Sequence, residues 1–146
     1  MIEPSHVIRV ARPSLDLAAA ERFYVQGLGL SVLFRKAASA ERGPYDLLML
    51  GPAGGRWHLE LTLDTRRAVA PSPTPEDLLV IYLAAPVGAE QVARAVAHGG
   101  TVVPAHNPYW DVGGVTLTDP DGYRVVLTQR SWGHNEPAAE NAGPAR

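Results

Sequence analysis

Apolar and polar residues alternate from His6 to Arg12, which predicts a strand with Ile8 and Val10 on one face and Val7, Arg9 and Ala11 on the other. Pro13 is expected to stop it. A helix follows, with Ser14 or Asp16 as N-cap and Leu17, Ala20, Tyr24 and Leu28 at helical spacing. Gly27 and Gly29 end that helix. Residues 30–34 and 45–50 read as strands. The turn Gly51-Pro-Ala-Gly-Gly55 then leads into a strand over 57–63, where Leu59 and Leu61 alternate with His58, Glu60 and Thr62.

The order then recurs. Residues 66–76, with the run Ala70-Pro-Ser-Pro-Thr-Pro-Glu76, make a stiff connector. Beyond it come an apolar strand at 78–83 and a helix at 89–98, whose stripe is Ala89, Val92, Ala93 and Val96. Gly99-Gly100 ends that helix. Strands follow at 101–103, 115–118 and 123–128, the last entered through Asp119-Pro-Asp-Gly122. Leu61-Thr62 of the first half falls on Leu127-Thr128 of the second. The repeated order predicts an α+β fold of two βαβββ modules with pseudo-two-fold symmetry, their curved sheets forming a cavity. The halves span 5–65 and 77–130 of a single domain at 5–130, joined by the 66–76 connector, and 131–146 is expected to be a flexible tail without chemistry.

Composition narrows the function classes. A chain of 146 residues suits one domain with a sizeable core. The net charge of −2, with both signs interspersed, gives no basic footprint for nucleic acid and no cationic membrane helix. Without cysteine there is no disulfide, thiolate metal site or cysteine nucleophile. No run approaches about 18 apolar residues and the first residues lack a signal-peptide pattern, so a cytoplasmic protein without membrane partners is expected.

The motifs resemble those of the vicinal-oxygen-chelate superfamily, which includes glyoxalase I, bleomycin- and fosfomycin-resistance proteins and extradiol dioxygenases. Phe23-Tyr24 before Gly27-Leu-Gly-Leu30 is similar to the family's first helix and its exit, and Asp119-Pro-Asp-Gly-Tyr123 to its turn before the last strand. Ala11-Arg-Pro13 and Asn107-Pro-Tyr-Trp110 resemble a bacterial subgroup mostly of unassigned activity. Metalloenzymes of the superfamily take His or carboxylate ligands from four strand positions, two per half. The resemblance places Glu60 at the first-half carboxylate position, with Val126 as its counterpart. It places His6 or Ser5 at the first-strand position, with a counterpart near Leu78. Aliphatic side chains donate no lone pair, and His6 shares the parity of Ile8 and Val10, pointing away from Glu60. The expectation is a protein without metal or other cofactor. The alternative is a degenerate site of His6 and Glu60 holding Mn, Fe, Ni or Zn.

What remains is a pocket. By parity Arg9, His58, Glu60 and Thr62 face inward, and Arg9 and Glu60 can pair across the cavity. That pair either satisfies two buried charges or meets a ligand. His58 and Glu60 are candidate acid–base groups, though the sequence offers His58 no orienting partner, and a satisfied pocket-wall histidine is the simpler reading. Trp57 and Tyr45 are expected to flank this region, or either simply to be core. Asn107, Tyr109 and Trp110 stand in a loop expected to wall or cover the ligand, joined by Tyr82, while Tyr123 serves the wall or its own turn. Arg130, Trp132 and His134 are placed beyond the site, and Arg9, His58, Glu60, Tyr109 and Trp110 are expected around one cavity. The expected function is sequestration or presentation of a small organic molecule, as antibiotic-resistance binders of the superfamily do. The alternative is a lyase, isomerase or dioxygenase using a degenerate metal site or Glu60 and His58. The resemblance also implies a homodimer.

Overall fold

Leu48 and Leu50 on one strand, and Leu59 and Leu61 on the next, are all buried. One face of the sheet they share is thereby committed to the core, and period-2 alternation leaves the other for chemistry. The computed structural model describes residues 1–132 and contains two four-stranded sheets. The first holds β1 (Ile8–Pro13), β2 (Ser31–Lys36), β3 (Tyr45–Gly51) and β4 (Trp57–Asp64) in the order β1-β4-β3-β2. The second holds β5 (Leu78–Tyr82), β6 (Thr101–Val103), β7 (Gly114–Thr118) and β8 (Arg124–Thr128) in the order β5-β8-β7-β6. In each sheet the first strand runs parallel to the last and the other pairs are antiparallel. The fold is α+β, two βαβββ modules related by pseudo-two-fold symmetry.

β1 ends at Pro13, which itself still pairs with Thr62, since β1 is an edge strand and an edge tolerates a residue without an N–H. The first crossover is α1 (Leu17–Glu21), capped by Asp16, whose Oδ1 accepts from the Ala19 amide at 2.8 Å. Ser14, the other capping candidate, is buried, and its hydroxyl has no partner among the described residues. The helix then widens into a π-helical segment, Arg22–Gly27. Ala20, Phe23 and Tyr24 are fully buried there, the two rings meeting edge-on with centroids 4.9 Å apart. Both consecutive aromatics reach the core, standing at i+3 and i+4 from the buried Ala20 on one stripe.

The second crossover, α2 (Ala89–Ala97), presents a different face from the expected one. Ala95 is buried and Val92 half-buried, whereas Ala89, Ala93 and Val96 are exposed. The reason is a close crossing of the two modules: a Cβ on Gly27 would lie 3.3 Å from the Ala95 Cα. Only the smallest residues fit at such a contact, so α2 turns Ala95 rather than its valine edge inward. Arg94 reinforces the crossing by donating to the Gly27 carbonyl at 3.0 Å. Residues of both modules thus share one apolar core, from Leu59 and Leu61 to Leu117, Val125 and Leu127. Ile8 and Val10 lie on the core side of β1 by parity, as expected, yet are 61% and 44% exposed. No helix among the described residues is long and apolar enough to cross a membrane. His134 and most of the expected tail lie outside the described residues.

Candidate functional site

β1 and β4 run in register with Arg9 opposite His58 and Ala11 opposite Glu60, which puts Arg9, His58 and Glu60 on the face turned away from the buried leucines. Arg9 binds both neighbours. Its Nε donates to His58 Nε2 at 3.0 Å, and its Nη1 lies 3.0 Å from Glu60 Oε2. Nη2 points to the sulfur of Met49 at 3.8 Å. An imidazole nitrogen that accepts carries no proton, so this arrangement assigns His58 the neutral Nδ1–H form. Arg9 is therefore the orienting partner that the sequence did not reveal. The ion pair runs between neighbouring strands of one sheet rather than across a cavity.

The floor around this trio was not legible as such. Met49 pairs with Glu60 and Phe34 pairs with Met49, so a single row crosses the sheet. A register shift between Val32 and Phe34 frees Leu33 from pairing. A Cβ on Gly51 would stand 3.1 Å from a Leu33 methyl and 3.2 Å from His58 Cβ, so Leu33 reaches the His58 side and Gly51 leaves it room. Gly51 is thus the last residue of β3 and a close-approach position, beyond its reading as the start of a turn. Further along the same face, a cavity of about 210 Å³ lies among Ala11, Pro13, Tyr45, Thr62, Asp64 and Val69. Tyr45 belongs to this extension. Trp57 has the parity of Leu59 and packs against the core.

The aromatic residues form a second group on the other sheet. The 3₁₀ helix Pro108–Asp111 is capped by Asn107, whose Oδ1 accepts from the Tyr109 amide at 3.0 Å, giving Asn107 a local structural role. Trp110 stands edge-on to Tyr109, centroids 4.9 Å apart, and 6.4 Å from Tyr82. Tyr82 pairs with Thr128, so this loop covers the face of the second sheet that corresponds to the Arg9 face of the first. Val126, Thr116 and Thr128 beneath are buried. Arg130 stacks over Tyr109 at 4.0 Å and Trp132 stands 5.9 Å from Tyr82, so both join the group they were expected to lie beyond. Tyr123 is buried under the Arg12 guanidinium, 4.5 Å from its ring centre, and packs the turn. No hydrogen bond, ion pair or ring contact among the described residues joins Tyr109 or Trp110 to Arg9, His58 or Glu60. One chain thus presents two separate groups, a charged one left open and an aromatic one.

The donor set does not suit a metal ion. His58 Nε2 and one Glu60 oxygen already face a cation, the Arg9 guanidinium. With Val126 as the counterpart of Glu60, the registers make Val80 the counterpart of Ala11 and Leu78 that of Arg9. The counterpart of Ser5 and His6 therefore moves from Leu78 to Thr74 and Pro75. His6 precedes β1 and is turned to the backbone, Nδ1 accepting from the Glu3 amide at 3.0 Å. No group of three or more His, Asp or Glu side chains among the described residues is arranged to hold an ion.

Two modules of this topology define the glyoxalase/bleomycin-resistance fold of the vicinal-oxygen-chelate superfamily. Sequence profiles of the YycE-like N-terminal and C-terminal domains match residues 8–62 and 76–129. The chain is 39% identical over 121 residues to the uncharacterised protein YycE of Bacillus subtilis, covering 82% of this chain and 85% of that one. It belongs to the YycE-like family. A crystal structure of a YycE protein of unknown function from Bacillus subtilis superposes with a TM-score of 0.77 at 34% identity, over 90% of this chain and 95% of that one. Glyoxalase I of Leishmania major shares the fold at TM-score 0.64 and 23% identity, over 85% and 86% of the two chains. So does TnmS3, an antibiotic binding protein from a Streptomyces species, at TM-score 0.58 and 24% identity, over 90% and 100%.

Proposed function

We propose that this protein binds a small organic molecule on the Arg9 face of the first sheet without using a metal ion. The observation that carries this reading is Arg9 itself. One guanidinium occupies Nε2 of His58 and an oxygen of Glu60, the two groups otherwise available as bases. A general base needs a free lone pair aimed at the substrate, and here Arg9 takes the one basic lone pair of His58 and one oxygen of Glu60, leaving only the second Glu60 oxygen open to a ligand. The face is suited to holding a ligand: His58 and Glu60 fix the Arg9 guanidinium at its centre, and the apolar Leu33, Phe34 and Met49 lie beside it. The same fold serves antibiotic binding in TnmS3.

The binding unit is a C2 homodimer in this reading. Val7, Ile8 and Val10 form an exposed apolar edge beside Arg9, and exposed apolar surface of this kind favours association. A second copy on that edge brings cover to the open face, and its Tyr109 and Trp110 supply the aromatic wall that a single chain keeps apart from Arg9. Sedimentation at micromolar concentration tests the assembly. The expected species has twice the 15.6 kDa of one chain, and a clean monomer overturns it. Native mass spectrometry of freshly purified protein tests binding: a co-purifying small molecule is expected, and it should be lost in Arg9→Leu.

A further inference from the structure

We propose that this face selects uncharged ligands carrying a hydrogen-bond acceptor and a donor on neighbouring atoms, and that Glu60 sets the selection. The inference rests on the reading of the face as a ligand site. Arg9 contributes one positive charge and Glu60 one negative, 3.0 Å apart, and His58 in its accepting form adds none. The trio is neutral as a unit. Among the described residues Arg9 Nη2 faces only the Met49 thioether at 3.8 Å, a weak acceptor, so it keeps N–H groups for a ligand oxygen. Glu60 Oε1 has no hydrogen-bond partner among the described residues and keeps its lone pairs for a ligand donor. Donor and acceptor stand side by side, matching a carboxamide or a hydroxyl next to a carbonyl.

Charge on the ligand would spoil this match. An anion reaching Arg9 comes up against the Glu60 carboxylate, whose side chain is only 14% exposed and thus poorly screened by water. A cation reaching Glu60 comes up against Arg9 by the same argument. The surroundings specify the rest of the molecule. Leu33 and Phe34 are 43% and 48% exposed, an apolar surface that would otherwise face water. Ala11 and Thr62, at the mouth of the cavity beside Tyr45 and Val69, lie two residues along their strands from Arg9 and Glu60, about 6.6 Å away. The ligand is accordingly a neutral compound with an apolar body extending from its polar edge.

Three probes with one apolar body test the proposal: 2-naphthamide, 2-naphthoate and 2-naphthylmethylammonium. Their binding is measured by calorimetry at neutral pH to the full chain and to Glu60→Gln and Arg9→Leu. The unmodified protein is expected to bind the amide about tenfold or more tightly than either ion, as one unpaired like-charge contact implies. Glu60→Gln should gain affinity for the naphthoate, and Arg9→Leu for the ammonium, by a similar factor. An unmodified protein that prefers either ion, or a ranking unchanged in the variants, overturns charge selection and leaves the face standing as a ligand site. No binding of any probe to any of the three proteins overturns the proposal and the reading beneath it. Each variant carries its own expected gain, so either one that melts cooperatively decides its half.

Discussion

The hydroxyl of Tyr24, in the first module, donates a 2.7 Å hydrogen bond to Asp119 Oδ2, in the turn of the second. Both side chains are buried. The other oxygen of Asp119 accepts from the amides of Asp121 and Tyr123 at 2.9 Å. Asp121 in turn accepts from the Leu15 amide at 3.1 Å. The Phe23-Tyr24 and Asp119-Pro-Asp-Gly122 motifs therefore form one joint that locks the modules together, next to the crossing of α2 over Gly27.

Replacing Tyr24 by Phe removes the donor and keeps the ring. Asp119 Oδ2 is then buried without its partner, at a cost of about 1–3 kcal/mol. Urea denaturation should show a lower midpoint with an unchanged slope. A midpoint equal to that of the unmodified protein would mean the bond contributes nothing.

Asp119 also predicts a pH dependence. Burial pushes its carboxyl above the ordinary 3.8, against the hydrogen bonds from Tyr24 and the Tyr123 and Asp121 amides that pull it down. A folded-state pKa above the unfolded one means the folded chain holds this proton more tightly. The resulting stability is fully present below 3.8 and is lost as pH rises through the raised value. The stability difference between the unmodified protein and Asp119→Asn should therefore shrink or reverse as pH rises from 3.8 through that value. A difference that grows over the same window contradicts the assignment.

The imidazole of His58 should appear as the Nδ1–H tautomer in nitrogen-15 spectra at neutral pH, because Arg9 Nε occupies Nε2. In Arg9→Leu that constraint is gone, and Nε2–H signals should emerge. Identical spectra for the two proteins would show that Arg9 does not hold the ring.

Gly51→Ala sets a methyl 2.9 Å from the Trp57 carbonyl oxygen, 3.1 Å from Leu33 and 3.2 Å from His58 Cβ. Part of this crowding falls on rigid backbone, so a loss of about 1–3 kcal/mol is expected. The His58 resonances should shift with it. A calorimetric melting temperature matching that of the unmodified protein would mean the strand yields freely.

Chelators provide a separate check on the donor set. Scanning fluorimetry with excess EDTA, and with added Mn, Ni or Zn, should give one melting temperature throughout if the protein works without a metal ion as proposed, since only a bound ion links chelation to folding. Destabilisation by EDTA that is reversed by one of these ions would require a ligand set other than the one described, with His58 and Glu60 the first residues to replace.

The sequence by itself determined which residues share a face and where the chain turns. Leu59 and Leu61 inward, and His58, Glu60 and Arg9 away from them, follow from the two-residue period of a strand, which is a local property of the backbone. The doubled order of elements and the two motifs likewise carried the fold. Tertiary structure alone decided what those faces meet. Met49 reaches Arg9, and Leu33 reaches His58, through a strand register and a bulge set by pairs far apart in the chain. α2 buries Ala95 in place of its alanine and valine stripe because another module approaches within a Cβ of it. Tyr109 and Trp110 turn to Tyr82 and Arg130 rather than to Arg9, since a loop has no period from which its direction can be read. Alternation is written into single strands, whereas register, crossing distance and loop direction come from the packing of many residues at once.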